Sequence, residues 1–335
     1  MLDFTVSIYS NQNVFLIAVG ISIAYMVIRW LVSGLSVGHI EDKYVFITGC
    51  DSGFGNLLVK RLDAWGFHVL AACHTVKGAN HLQQESSPNV KVFSPLELAD
   101  EESVKKAYQF VLEHLPDNKG LWAVVNNGGC QASGVGPLEW HQRAVYERVF
   151  AVNVYGMLDV TRMLLPLVRK GQGRIVNMSS LAARFGTFGV GPYAMTKYAV
   201  EGFTDCLRVE LLKQGVSVHV IEPGGFRTAF ADEDNFRRLA QESFENTSPD
   251  LKRFYGGNYV EKFCDSIAQL RPVVSDDLDL VVDCYVHAVT SRFPLDRYTP
   301  GNWLAVSSLV LCWLPRWIGD TVINSTVVHP AGLIR

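Results

Sequence analysis

Tyr193 and Lys197 stand four residues apart in Tyr-Ala-Met-Thr-Lys, and Ser180 lies thirteen residues before the tyrosine. Proline is welcome in the first turn of a helix, so Pro192 predicts a helix start that puts Tyr193 and Lys197 at i and i+4 on one face. An ammonium close to a phenol favours the phenolate and pulls its pKa below the ordinary value of ~10. The predicted chemistry is general acid/base catalysis near neutral pH. Tyr-x-x-x-Lys is common by chance, so this reading stands only if the rest of the chain builds a cofactor site around the pair.

The elements that would position the pair can be traced in order. A β-branched and aromatic run at 44–48 predicts a strand, and a helical pattern at 56–65 closes at Gly66. Further strands are predicted at 69–72, 90–93, 121–125, 174–178 and 216–221. Helices are predicted at 101–115, 140–169, 192–214 and 278–289. Strands alternating with helices predict an α/β, doubly wound parallel sheet, Rossmann-like, with ligands at the carboxyl ends of its strands. The stretch Thr48-Gly49-Cys50-Asp51-Ser52-Gly53-Phe54-Gly55 falls between the first strand and its helix. There glycines allow a tight turn and close approach to a pyrophosphate, while the helix N-terminus offers N–H groups.

In their order and spacing, the turn at 48–55, Asn126-Asn127-Gly128-Gly129, Asn153, Ser180, Tyr193, Lys197 and Pro223-Gly224 resemble the short-chain dehydrogenases/reductases. The resemblance covers about residues 43–300. The Thr-Gly-Cys-Asp-Ser-Gly-Phe-Gly turn, Glu222-Pro223-Gly224 and Arg297-Tyr-Thr-Pro-Gly301 resemble a membrane-associated branch of that family. That branch holds retinol dehydrogenases, 17β- and 11β-hydroxysteroid dehydrogenases of type 2, and D-3-hydroxybutyrate dehydrogenase. The resemblance implies that Tyr193 moves a proton, Ser180 (rather than Ser179) bonds the substrate oxygen, and Lys197 also holds the nicotinamide ribose. Asn153 would link a water to the lysine. Gly49, Ser52, Gly53, Phe54, Gly55, Cys73, Asn127, Gly128, Pro223, Gly224 and Thr228 would line the cofactor. Two departures stand out: Gly128 replaces the family's alanine, and Glu97 replaces an aspartate. The cofactor expected is NAD rather than NADP, although Cys73 stands where NAD enzymes often carry an acid. Asp51 in the turn would repel a 2′-phosphate, and His74 and Lys77 are the nearby bases. No metal is expected.

The chain has 335 residues, 48% hydrophobic and 19% charged, with a net charge of −3. Without a basic run, no nucleic-acid role is expected. Seven scattered cysteines read as free thiols. Residues 14–37 are apolar apart from Gly, Ser and Arg29, enough to span a bilayer. Residues 1–42 are therefore read as a single-pass membrane anchor and linker. Arg29 favours a cytosolic catalytic domain, and the membrane expected is the endoplasmic reticulum, with a mitochondrial membrane as the alternative. The dehydrogenase domain is placed at 43–301, with an aromatic substrate lid at about 226–272. That lid carries Phe226, Phe230, Phe236, Phe244, Phe254, Tyr255, Tyr259 and Phe263 and fits an apolar small molecule, a retinoid or steroid. Its bases Arg237, Arg238, Lys252 and Arg253 keep a hydroxybutyrate-type substrate as an alternative. A silent nucleotide-binding membrane protein is the alternative from another class. The helix at 278–289 is a candidate homodimer contact. The chain ends in an apolar extension at 302–335, whose stretch 303–317 is read as docking on the membrane surface near the substrate entrance, with an entrance cover or core packing as alternatives.

Overall fold

The structure is a computed structural model that describes residues 2–131, 134–228, 233–269, 274–301, 310, 312–325 and 327–332. The chain divides into two compact units. The smaller joins residues 1–38 with Thr290–Pro294. Its helix α1, Leu2–Ser33, carries the apolar stretch Leu16–Ser33, none of which is buried. Ser36 bridges Ser291 in antiparallel fashion, and the Arg292 N–H donates to the Leu35 carbonyl at 2.8 Å.

The larger unit holds a seven-stranded, all-parallel sheet. In chain order its elements begin β1 (Tyr44–Thr48), α2 (Gly53–Ala64), β2 (His68–Ala72), α3 (Val76–Gln84), β3 (Val90–Phe93) and α4 (Glu101–His114). Next come β4 (Leu121–Asn126), α5 (Arg143–Phe150), α6 (Met157–Lys170), β5 (Arg174–Met178), α7 (Gly191–Leu211) and β6 (Ser217–Ile221). The last are α8 (Glu233–Glu245), α9 (Pro249–Tyr255), α10 (Tyr259–Ala268), α11 (Asp279–Thr290), β7 (Arg297–Tyr298) and α12 (Arg316–Asn324). The spatial order β3-β2-β1-β4-β5-β6-β7 reverses between β1 and β4. Such a reversal opens a crevice at the strands' carboxyl ends, which is where ligands bind in open α/β sheets.

Both faces of the sheet are covered. Val45, Ile47, Val69, Ala71, Val125 and Val176 pack on α2 and α11 on one side. Phe46, Leu70, Val124 and Ile175 pack on α4, α6 and α7 on the other. Alternate residues of each strand thus feed opposite cores, so the strands read as continuous apolar runs. All six expected strands are present within a residue or so. The long helix expected from Trp140 instead begins at Arg143 and is interrupted by a π-helical turn, Ala151–Gly156. Trp140 belongs to a short 3₁₀ turn and a separate aromatic core with Phe244, Tyr255, Tyr259 and Phe263. On the helix expected at 278–289, Val281, Val282, Tyr285, Val286, Ala288 and Val289 pack into the core, while Leu280 is exposed.

Candidate active site

The Gly-rich turn leaves β1 and enters α2 at the reversal point. Gly49 has φ +72° and Gly53 φ +61°, the left-handed region that glycine enters without strain. A Cβ on Gly49 would lie 2.7 Å from the Gly128 Cα, and one on Gly55 would lie 2.3 Å from the Gly49 carbonyl oxygen. Backbone therefore approaches backbone here in a way only glycine permits. Asn127 fastens the turn, its Nδ2 donating to the carbonyls of Thr48 and Gly49 at 3.0 Å each. Gly128 N–H donates to Thr48 Oγ1 at 2.9 Å. A Cβ on Gly128 would sit 2.8 Å from Leu98 Cδ1, so Leu98 fills the space that the family's alanine methyl would take. Ser52 caps α2 without a side-chain hydrogen bond, and the first turn of α2 carries no acid. Its N–H groups and positive dipole end remain available to an anion. A pyrophosphate fits this cradle.

The strand end beside the turn is arranged differently from the sequence expectation. Cys73 is fully buried, and burial pushes its thiol up to about 12. Asp51 occupies the accessible position instead. Its carboxylate accepts from His74 N–H at 2.7 Å, Thr75 N–H at 2.8 Å and Thr75 Oγ1 at 2.7 Å. Glu97 is exposed and turns back onto its own backbone, accepting from Ala99 N–H at 3.2 Å. Thr228 faces the turn, its Cγ2 3.9 Å from a Cβ built on Gly53. Pro223 and Gly224 follow β6, bonded to Leu181 N–H at 3.0 Å and to the Pro300 carbonyl at 3.1 Å.

Ser180, Tyr193, Lys197 and Asn153 converge at the ends of β4 and β5. The Ser180 hydroxyl hydrogen-bonds the Tyr193 side chain and accepts from Ala182 N–H at 3.1 Å. Ser179 Oγ is buried and finds no partner among the described residues. Lys197 is 3% exposed, donates to the Met178 carbonyl at 2.8 Å and lies 5.4 Å from the Tyr193 ring centre. Asn153 sits in the π-helical turn, a distortion often found at functional sites. Its amide accepts from Cys130 N–H at 2.7 Å and donates to the Cys130 carbonyl at 2.8 Å and to Thr196 Oγ1 at 3.1 Å. Asn153 therefore ties the loop after β4 to α7. Electrostatics here run against the expected shift. Burial raises the Tyr193 phenol to about 12, opposed by the Ser180 hydrogen bond, and burial lowers the Lys197 ammonium to about 8. Desolvation is the largest cause of both shifts.

A buried charge circuit backs this trio. Tyr193, Lys197 and Glu201 follow at i, i+4 and i+8 along α7. Glu201 pairs with Arg297, which also pairs with the fully buried Glu222. Glu222 in turn accepts from Arg184 Nη2 at 3.1 Å, in the loop that carries Ser180. Arg297 and Glu222 were visible in sequence only as parts of short motifs, because the contacts linking them span 75 and 96 positions.

The family model for short chain dehydrogenases matches residues 43–238. The chain belongs to the short-chain dehydrogenase family. Retinol dehydrogenase 7 of Mus musculus is 41% identical over 88% of this chain and 92% of its own length. Retinol dehydrogenase 16 of Homo sapiens and 17-beta-hydroxysteroid dehydrogenase type 6 of Rattus norvegicus are each 40% identical over 92% of this chain and 96% of their own lengths. Among solved structures, a short-chain dehydrogenase from Streptomyces avermitilis superimposes with a TM-score of 0.64 at 24% identity, covering 84% of this chain and 94% of its own. One from Burkholderia cenocepacia in complex with NADP gives 0.60 at 19%, covering 85% and 98%. This short-chain dehydrogenase is thus an oxidoreductase related to retinol and hydroxysteroid dehydrogenases.

The segment expected to form an aromatic substrate lid holds α8, α9 and α10. Phe226 is not part of it: buried, it packs edge-on against Phe54, 5.7 Å between centres, in the sheet core. Phe244, Tyr255, Tyr259 and Phe263 pack on Trp140 and one another, and Phe236 packs against them. Phe254 is partly exposed, and Phe230 lies outside the described residues. The lid's cations are engaged. Arg237 pairs with Asp265 at 2.8 Å, Arg238 with Glu242, Arg253 with Asp250, and Lys252 donates to the Glu245 carbonyl at 2.6 Å. Among the described residues, the group of possible metal ligands is His39, Glu41 and Asp42; all three are exposed, and Asp42 is held by Lys119 at 2.8 Å.

Proposed function

We propose that this chain is an NAD(H)-dependent, membrane-anchored dehydrogenase that interconverts an alcohol of an apolar substrate, a retinol or hydroxysteroid, and its carbonyl. A bound nicotinamide dinucleotide supplies the hydride acceptor or donor. Gly49, Ser52, Gly53, Phe54, Gly55, Asn127, Gly128, Pro223, Gly224 and Thr228 would hold it around the cradle, and Lys197 would hold its ribose. Tyr193 takes the hydroxyl proton in the oxidative direction and returns it in the reductive one. Ser180 steadies the substrate oxygen as its charge changes. Asn153 holds the Cys130 loop against α7, and that keeps Lys197 beneath the phenol. The observation that carries this reading is the Ser180–Tyr193 hydrogen bond with Lys197 buried beside it, opposite a glycine cradle that fits a pyrophosphate.

Asp51 supports NAD. Its carboxylate sits at the start of α3, where a 2′-phosphate would otherwise meet helix N–H groups, and it repels that phosphate. The names of the relatives and the aromatic lid support an apolar alcohol. The engaged lid cations speak against a small hydroxy acid. The apolar, unburied Leu16–Ser33 supports single-pass anchoring, with the endoplasmic reticulum as the proposed membrane.

The test uses the full chain in detergent. NADH fluorescence is followed by turnover of retinol, a set of hydroxysteroids and 3-hydroxybutyrate with NAD+ or NADP+. Turnover of an apolar alcohol with NAD+ is expected. Equal or better rates with NADP+ overturn the cofactor assignment, turnover of 3-hydroxybutyrate alone overturns the substrate class, and failure to bind NADH overturns the whole reading.

A further inference from the structure

One buried hydroxyl outside the catalytic set reaches the Gly-rich turn from α11, which shares a face of the sheet with α2. Tyr285 lies on α11, is 0% exposed, and is among the largest fully buried side chains. Its hydroxyl donates to Asn127 Oδ1 at 3.1 Å. A side-chain amide has one accepting and one donating end; neighbours that only accept decide which way it faces, and a hydroxyl, which can donate or accept, closes the end left over. Here the donating end, Nδ2, faces the Thr48 and Gly49 carbonyls. It also lies 2.5 Å from where a Cβ on Gly55 would stand, so the amide is wedged against both ends of the Gly-rich turn. Flipped, it would present Oδ1 to two carbonyl oxygens and lose both bonds. The helix that delivers Tyr285 is clamped to the helix that the turn opens: Arg61 on α2 pairs with Asp279 at 2.7 Å and Asp283 at 2.9 Å.

We propose that Tyr285 is a positioning residue for the dinucleotide site, anchoring the Oδ1 end of the Asn127 amide and through it the shape of the turn at 48–55. The proposal rests on the reading of that turn as the dinucleotide cradle. Tyr285 itself touches neither substrate nor reacting atoms. Its effect belongs to cofactor affinity and to the stiffness of the turn, not to proton transfer at Tyr193.

The test is Tyr285→Phe in the full chain, which keeps the ring and removes the hydroxyl. NADH affinity is expected to fall ~10-fold, with KM for the dinucleotide rising in step and kcat within ~2-fold, since a buried hydrogen bond contributes on the order of one decade. Hydrogen exchange of the unliganded protein is expected to quicken at 48–55 while β4 and β5 stay protected. A second arm places Tyr285→Phe on an Asn127→Ala background, where it should add nothing. Unchanged affinity and exchange overturn the proposal, as does an equal loss on both backgrounds or a fall in kcat alone. Should the unsubstituted chain fail to bind NADH, the cradle reading falls, and the exchange measurement still decides whether Tyr285 sets the turn.

Discussion

Tyr193 and Lys197 are each shifted toward the neutral form, the phenol up to about 12 and the ammonium down to about 8. The Ser180 hydroxyl is what opposes this for the phenol, so its loss should be felt in turnover. Ser180→Ala is expected to lower kcat by ~10²–10³-fold, the scale of losing one donor to a developing oxyanion. Ser179→Ala, which removes a buried hydroxyl without a described partner, should leave kcat within ~2-fold and Tm unchanged or slightly raised. Steady-state rates of the two variants decide it, and the reverse order would show that the neighbouring serine is the functional one. Lys197 makes a separate thermodynamic prediction. Its pKa falls on folding from 10.5 to about 8, so the unfolded chain binds more protons between those values and this term raises stability as pH increases through that window. Lys197→Met removes the term. Denaturation at pH 7.5 and 10.5 should show the unsubstituted protein gaining on the variant by on the order of 3 kcal/mol, from ~2.5 pKa units at 1.36 kcal/mol each. A constant difference across that range would mean that the ammonium is not desolvated. Helical spacing paired Tyr193 with Lys197 and the family resemblance singled out Ser180, and one loop and one helical turn bring the three together. Neither exposed the direction of their shifts, because desolvation is set by everything packed around them.

The turn at 48–55 and the start of α3 meet through one carboxylate. Thr75 caps α3, accepting from Gly78 N–H at 3.0 Å, and its own N–H and hydroxyl both donate to Asp51. Asp51→Asn removes the charge while keeping an acceptor oxygen. The preference for NAD+ over NADP+, as the ratio of kcat/KM values, is expected to fall ~10-fold or more, mainly through better use of NADP+. An unchanged ratio would place cofactor choice elsewhere. The sequence showed Asp51 in the turn but could not show that it reaches across to the end of β2, where Cys73 was the expected contact. The helix α3 itself escaped notice, since it is short, mostly polar and carries Gly78 in its first turn, with Ala79 and Leu82 as its buried residues. So did β7, which is two residues long and exists by pairing with β6. Elements that carry their own apolar pattern were legible; those held by a neighbour were not.

At the scale of the whole larger unit, the six strands β1 to β6 were legible because each is a largely apolar run between a turn and a helix, while the course of residues 327–332 was not. The stretch expected to dock on a membrane surface, 303–317, lies in large part outside the described residues. Beyond it, the described residues 327–332 pack along α9 and α10. Val328 joins the aromatic cluster, its carbonyl accepting from the Tyr259 hydroxyl at 3.1 Å. Ala331 N–H donates to the Tyr255 carbonyl at 3.2 Å, and Gly332 N–H to the Phe254 carbonyl at 2.8 Å. A Cβ on Gly332 would come within 2.9 Å of the Phe254 ring, so the strap lies directly on α9. The same aromatic cluster receives the loop between Ser180 and Tyr193: Gly189, with φ +81°, leaves no room for a Cβ against Phe263, and Phe188 packs edge-on to that ring. The strap and the catalytic loop thus bear on one set of aromatic rings, whereas the Gly-rich turn packs on α11 and β4. Ending the chain after Ser325 should therefore loosen the lid without disturbing the cradle. KM for the apolar substrate is expected to rise ~10-fold, with NADH affinity unchanged and proteolysis quickened within 233–269. Equal losses in substrate and NADH affinity would mean that the strap supports the whole fold, and no change in either would mean that the lid is held by its own aromatic packing.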